Sequence, residues 1–252
     1  MIESSFVEGN SLIHRLNPRF RVAMAIGLSV FIAVADRFLT LTICLFVSLI
    51  LIALSRLGGL RVFKRLVIVN GMILVFWLIL PLTVAGKAIL ILGPITLTES
   101  GVLLALRLTL KSNGIILILI ALLATCPVTA IGYAMKSLWI PKKIVYLFLI
   151  TYRYLFVLEQ EYQRLMNAAK IRCFRPGNNL HTYRTFAYLI GMLFVRASLR
   201  GERVYQAMRC RGFNGRFYLL YEFKSSRMDW VFLTALSFVI LLLGFMEWGM
   251  VK

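Results

Sequence analysis

The sequence predicts an all-α integral membrane protein with about five transmembrane helices plus long amphipathic helices on the cytoplasmic side. Three observations carry this prediction. The 252 residues are 60% hydrophobic with a mean hydropathy of +0.85, a composition that a soluble domain of this size does not keep in solution. Apolar stretches of membrane-spanning length recur at about 20–35, 38–55, 66–85, 101–125 and 230–248. The basic residues are sided: a cytoplasmic N-terminus places 24 of the 29 lysines and arginines inside, as the positive-inside rule requires.

The chain opens with Glu3, Glu8, His14 and Arg15 ahead of the first apolar run, with no small-residue cleavage pattern after it, so no signal peptide is expected. The first span is short and joins the second through Asp36 and Arg37, a polar pair suited to a tight helical hairpin at the far membrane surface. Arg56, Arg61, Lys64 and Arg65 follow the second span on the inner side. In the fourth stretch Arg107 and Lys111 share one face at i and i+4. Two readings of them stand: snorkelling anchors in a span that starts outside, or an interfacial helix over 98–111 opened by Thr98 and followed by a short span over 112–125.

Residues 126–229 are too long for a loop and too apolar for an ordinary soluble domain, and they read as long helices lying on or in the membrane. Three regions result: 1–125, the N-terminal transmembrane helices; 126–229, the cytoplasmic helix region; and 230–252, the C-terminal transmembrane helix. Pro141 can open a helix at its first turn, and the chain from Ile144 meets no glycine or proline until Pro176 and Gly177 stop it. A second helix is expected to begin near Thr182 and to end at Gly212, which takes a left-handed cap without a Cβ penalty. Arg196, Arg200 and Arg203, at i, i+4 and i+7, lie on one face of it.

Several chemistries fall away. Cys44, Cys126, Cys173 and Cys210 form no C-x-x-C pair, and His14 and His181 are far apart, so no metal site is expected. No phosphate loop, H-E-x-x-H or G-x-S-x-G motif is present. Glu159 and Glu161, two residues apart, point to different helix faces and read as solvated. The net charge of +19 suggests nucleic acid, but the basic residues alternate with membrane-compatible apolar runs, so no nucleic-acid partner is expected and membrane lipid is. No catalytic residue and no cofactor is expected either.

The two long helices end in one pattern, A-x-x-x-R-[GC]-F: Ala168, Arg172, Cys173 and Phe174 in the first, and Ala207, Arg211, Gly212 and Phe213 in the second, 39 residues on. An arginine in a last helical turn complements the helix dipole and bonds free carbonyls. Two such ends also present two equivalent guanidinium groups to a two-fold partner. Arg209 and Arg216 read as solvated or headgroup-facing charges.

The stretches "SLIHRLNPRFR" at 11–21, "YRY" at 152–154 and "FRPGNNLHTYRTFAYLIGMLFVRASLRGERVYQAMRCRGF" at 174–213, with the twin arginine ends, resemble the transmembrane T component of energy-coupling factor (ECF) transporters, nearest the cobalt/nickel branch of CbiQ type. The resemblance covers nearly the whole chain. It implies a non-catalytic scaffold in a bacterial inner membrane that joins two ATP-binding cassette ATPase subunits to a metal-binding membrane S component. In that family two coupling helices end in Ala-Arg-Gly motifs whose arginines sit in grooves of the ATPase pair. By position the motifs here are Ile171, Arg172 and Cys173, and Cys210, Arg211 and Gly212. Both alanines and the first glycine are replaced, and Cys173 is expected to leave the first cap less able to adopt a left-handed turn. A T component serving a vitamin, or a membrane enzyme holding a lipid phosphate, are the alternatives.

Overall fold

The computed structural model describes residues 16–55, 57, 59–84, 88–92, 95–138, 140–213 and 227–249. Among them are eight helices and one hairpin: α1 (Pro18–Val34), α2 (Phe38–Ser55), α3 (Gly59–Thr83), β1 (Ala88–Leu92), β2 (Ile95–Thr98), α4 (Glu99–Leu122), α5 (Val128–Ser137), α6 (Lys142–Ile171), α7 (Leu180–Cys210) and α8 (Arg227–Gly249). Glu3, Glu8, His14, Arg15, Arg56 and Arg216, all named above, lie outside the described residues. The chain divides into two compact units, Met1–Trp139 with Phe223–Lys252, and Ile140–Glu222.

In the first unit α2, α3, α4 and α8 are each long and apolar enough to cross a bilayer, so this is a multi-pass membrane protein. Helix α1, at 17 residues, is about 26 Å long and falls just short by length. Its two ends nevertheless pair it with a span. The backbone N–H of Asn17, at the α1 N-cap, donates to Asp229 Oδ1 in the first turn of α8 at 2.8 Å. Beyond the other end of α1, Glu247 near the end of α8 accepts from the backbone N–H of Asp36 (2.9 Å) and Arg37 (3.2 Å) and from Thr40 Oγ1 (2.6 Å). Start meets start and end meets end, so α1 runs parallel to α8 and alongside it.

The α1 N-terminus is set locally: Asn17 Oδ1 accepts from Arg19 N at 3.2 Å and Pro18 takes the first helical position. Helices α1, α2, α4 and α8 share one core, with Ala25, Leu28 and Ile32 meeting Leu41, Cys44, Ile118, Leu122 and Leu243. Helix α3 packs along α4, where Val62 meets Leu117 and Ile120. Two polar contacts join that pair: the side-chain amides of Asn70 and Asn113 bond reciprocally at 3.1–3.2 Å, and Trp77 Nε1 donates to Thr109 Oγ1 at 2.9 Å. Polar groups at membrane depth must find partners within the protein, and these do.

Helix α4 is continuous from Glu99, which settles the choice left open for 98–111: no break separates an interfacial helix from a span. Both cations serve the α1–α2 turn. Lys111 Nζ lies 2.9 Å from Asp36 Oδ1 and 3.0 Å from Ala33 O, and the Arg107 guanidinium stands 4.8 Å from the centre of the Phe38 ring. The hydrogen bond from Lys111 holds the Asp36 carboxyl below the usual carboxylate range. Thr98 is the N-cap residue of α4, as expected, but its side chain does not cap the helix; its Oγ1 donates back to Val84 O (2.7 Å) and Pro81 O (3.2 Å). Just before it, the antiparallel hairpin pairs Leu92 with Ile95 and Ile91 with Thr96, a small exception to an all-α chain.

The block expected as one cytoplasmic stretch from 126 begins with a short helix of the first unit. Pro127 opens α5, which packs on α1. Immediately before it, the buried guanidinium of Arg21 donates to Thr125 Oγ1, which in turn donates to Ala121 O at 2.9 Å. The end of α4 is thereby tied to the same end of α1 that Asp229 holds.

Gly101 lies close against the backbone of α3. A Cβ there would lie 2.6 Å from both Leu80 O and Pro81 Cα, which are backbone atoms that cannot swing away. Gly101→Ala is expected to destabilise the α3–α4 pair by about 1–3 kcal/mol, as overpacking does. Gly201→Ala, with open space around the position, is expected to be neutral or stabilising by up to about 1 kcal/mol. Residual monodisperse protein after heating in detergent measures both.

Candidate functional site

The second unit is a helical hairpin. Pro141 takes the N-cap of α6, one residue ahead of the first helical position the sequence suggested. Helix α6 ends at Ile171, five residues before the expected stop at Pro176, and α7 begins at Leu180, two residues before Thr182. The connection is held by Gly177 N donating to Thr182 Oγ1 (3.1 Å) and by Tyr183 OH donating to Asn178 Oδ1 (2.8 Å). Phe174 packs edge-on against His181 and Phe186 across the loop, with centroids 6.4 and 5.8 Å apart.

The two helix ends have the same geometry. At the first, Arg172 is the C-cap (φ −84°, ψ 26°), Cys173 N donates to Lys170 O at 3.0 Å, and Phe174 N donates to Ala169 O at 3.1 Å. At the second, Arg211 is the C-cap (φ −88°, ψ 15°), Gly212 N donates to Arg209 O at 3.0 Å, and Phe213 N donates to Met208 O at 3.1 Å. Both are Schellman motifs, in which paired reverse bonds satisfy the last carbonyls of the helix. Cys173 adopts the left-handed turn in spite of its side chain, at φ +60°, matching Gly212 at +75°. Two hydrogen bonds and the seating of Phe174 outweigh a left-handed penalty of about 1–2 kcal/mol.

Each set of predicted residues is gathered, but the two sets are separate. Ala168, Arg172, Cys173 and Phe174 line one cavity of about 570 Å³ together with His181. Arg211, Gly212 and Phe213 follow the far end of α7, where Ala207 O accepts from Arg211 N at 3.3 Å. Because the first set lies against the start of α7, the 31-residue helix holds the two arginines on the order of 40 Å apart. Arg172, Cys173, Arg211 and Gly212 are all exposed.

Glu161 is what the sequence reading missed. It does more than face solvent: Arg196 of α7 donates to its Oε1, and Arg164 lies 3.6 Å from its Oε2. The hydrogen bond from Arg196, helped by the charges of Arg164 and Arg200, holds its carboxyl below the usual carboxylate range. The arginine face at 196, 200 and 203 was the signal available, since such a face packed against a helix calls for an anion opposite it.

A family model described as "CbiQ: Cobalt transport protein" matches residues 9–219, most of the chain and both arginine ends. The chain belongs to this family. Its curated relatives match shorter stretches. The uncharacterized protein MJ1089 of Methanocaldococcus jannaschii is 27% identical over 50% of this chain and 46% of its own length. MJ1571 of the same organism is 28% identical over 40% of this chain and 34% of its own. Nickel permease LarQ of Lactiplantibacillus plantarum is 30% identical over 37% and 33%. The chain thus spans less than half the length of each of these relatives.

If the left-handed turn at Cys173 costs what a side chain should cost there, Cys173→Gly stabilises the end of α6 by about 1 kcal/mol, and Gly212→Ala destabilises the end of α7 by a similar amount. Amide hydrogen exchange at Phe174 and Phe213 reads the two ends separately: slower exchange in the first variant and faster in the second are expected.

Proposed function

We propose that this CbiQ-family protein is the transmembrane scaffold of an ATP-driven ECF transporter that takes up cobalt or nickel. The observation that carries the reading is the pair of matching helix ends, each presenting an exposed arginine at the C-cap, on one hairpin of long helices. Two equivalent guanidiniums at fixed separation suit two equivalent pockets on a pair of ATP-binding cassette subunits. Arginine suits such pockets because its charge is permanent and its five donors are fixed in a plane. The metal class is supported by membership of a cobalt transport family and by similarity to a nickel permease.

In this reading the region 126–229 is the cytoplasmic coupling region, and the protein sits in a bacterial inner membrane with its N-terminus inside. Parallel α1 and α8 support this orientation, since they put the starts of both on the face where the lysines and arginines collect. The chain is not itself catalytic. ATP binding closes the ATPase pair, the two pockets approach, and α6 and α7 move with them through Arg172 and Arg211. Ala168, Cys173, Phe174, Ala207, Gly212 and Phe213 shape the two ends so that the arginines are presented. The moving helices then reorient a metal-binding S component, which supplies the metal ligands. Long helices transmit such a displacement because packed interiors change arrangement in steps.

Arg172→Ala and Arg211→Ala are each expected to weaken capture of the ATPase subunits by at least about tenfold, and the double change to abolish metal uptake, while the protein stays membrane-inserted. Co-purification of the tagged chain and radiometal uptake measure this. Full uptake with an intact complex in the double variant would sink the reading.

A further inference from the structure

The cleft along α6 and α7 lies between the two arginine ends, sharing Arg196 with the cavity of the first and Ala207 with the second, and has a composition of its own. It holds about 430 Å³ and is lined by Glu161, Arg196, Arg200 and Arg203, with Leu158 and Val204 among its apolar walls. Its one carboxylate is already occupied, because Glu161 receives Arg196 and Arg164. Arg200 and Arg203 make no hydrogen bond or ion pair among the described residues, although Arg200 lies near enough to act on the Glu161 charge. One helical turn separates them on the face that meets the cleft, so both guanidiniums can close on a single tetrahedral anion.

We propose that this cleft binds the head group of an anionic phospholipid, with Arg200 and Arg203 holding its phosphate. The choice of a lipid over a free anion rests on the surroundings of the arginines. A soluble phosphate would use the guanidiniums and leave the apolar wall without a partner. A phosphatidyl group uses both, with phosphate on the arginines and the glycerol and acyl roots along Leu158 and Val204. Val157 and Leu199 extend the same apolar wall. Apolar side chains beside arginines with charge to spare are the signature of a surface made for the headgroup layer, and this chain crosses a membrane. An acidic protein segment would satisfy the charge but would not need that wall.

The test uses the full chain purified from membranes and reconstituted in phosphatidylcholine vesicles with and without phosphatidylglycerol, with retained lipid identified by native mass spectrometry. Wild-type protein is expected to retain phosphatidylglycerol selectively, and the double variant Arg200→Gln/Arg203→Gln to lose that retention by on the order of tenfold. Neither side chain makes a contact that folding needs, and monodisperse elution confirms that the variant is intact. The control Lys143→Gln/Arg184→Gln removes two charges of the same unit outside the cleft and is expected to retain lipid as wild type does. Equal loss in both double variants would reduce the effect to bulk charge and overturn the proposal. Displacement of the lipid by millimolar inorganic phosphate, or an acidic protein cross-linked at Arg200 in place of lipid, would overturn it as well.

Discussion

Inside a bilayer a carboxylate at a helix end is stable only where donors reach it, and Asp229 and Glu247 draw their donors from opposite ends of α1. Each bond does two jobs, because the N–H groups at Asn17, Asp36 and Arg37 have no partner within a helix of their own. The same contacts that neutralise the ends of α8 therefore cap α1 and start α2. The turn after α4 is tied at Thr125 to Arg21, and α8 starts at Asp229 beside the same end of α1, so the parallel register of α1 and α8 fixes where the first unit is left and re-entered.

Hydropathy made the spans legible, since a run such as Phe38–Ser55 has nothing to satisfy its backbone in lipid except its own helix. The clasps were not legible. Asp229 and Glu247 meet partners more than 200 residues away in sequence, and a single polar residue near a span boundary reads as an ordinary interfacial group. Lys111 shows the same limit: its spacing to Arg107 placed both on one face, but nothing local points to Asp36, 75 residues earlier. The hairpin at 88–98 was missed for a different reason. Its apolar run continues the character of the preceding span, and only Gly93 and Pro94 between two strand-like segments mark the turn.

The arginine ends were legible as a repeat because a Schellman cap is local, needing only a left-handed residue one place past the C-cap and two reverse bonds. Local preference alone does not decide the turn at Cys173. The penalty for a side chain at positive φ is small against what a helix end loses when its last carbonyls go unpaired, and Phe174 is anchored on His181 and Phe186 as well. The first end keeps the geometry of the second by spending backbone strain that Gly212 avoids. Glu161 lay beyond local reasoning because its partner sits on the other arm of the hairpin.

What α7 leaves uncovered says how this unit works. Over 31 residues Thr182 alone is buried, while Tyr188 and Phe194 are about three-quarters exposed. Leaving an aromatic of this kind uncovered forgoes about 1.5–3 kcal/mol, so a helix that does so repeatedly gains little from its own fold. The Arg196–Glu161 pair ties it to α6, and an exposed pair adds little stability by itself. The hairpin therefore has little interior of its own. The lever role proposed for it needs that arrangement: stiff along each helix through backbone bonding and weakly committed across the pair, so that its position can change without a core having to be taken apart.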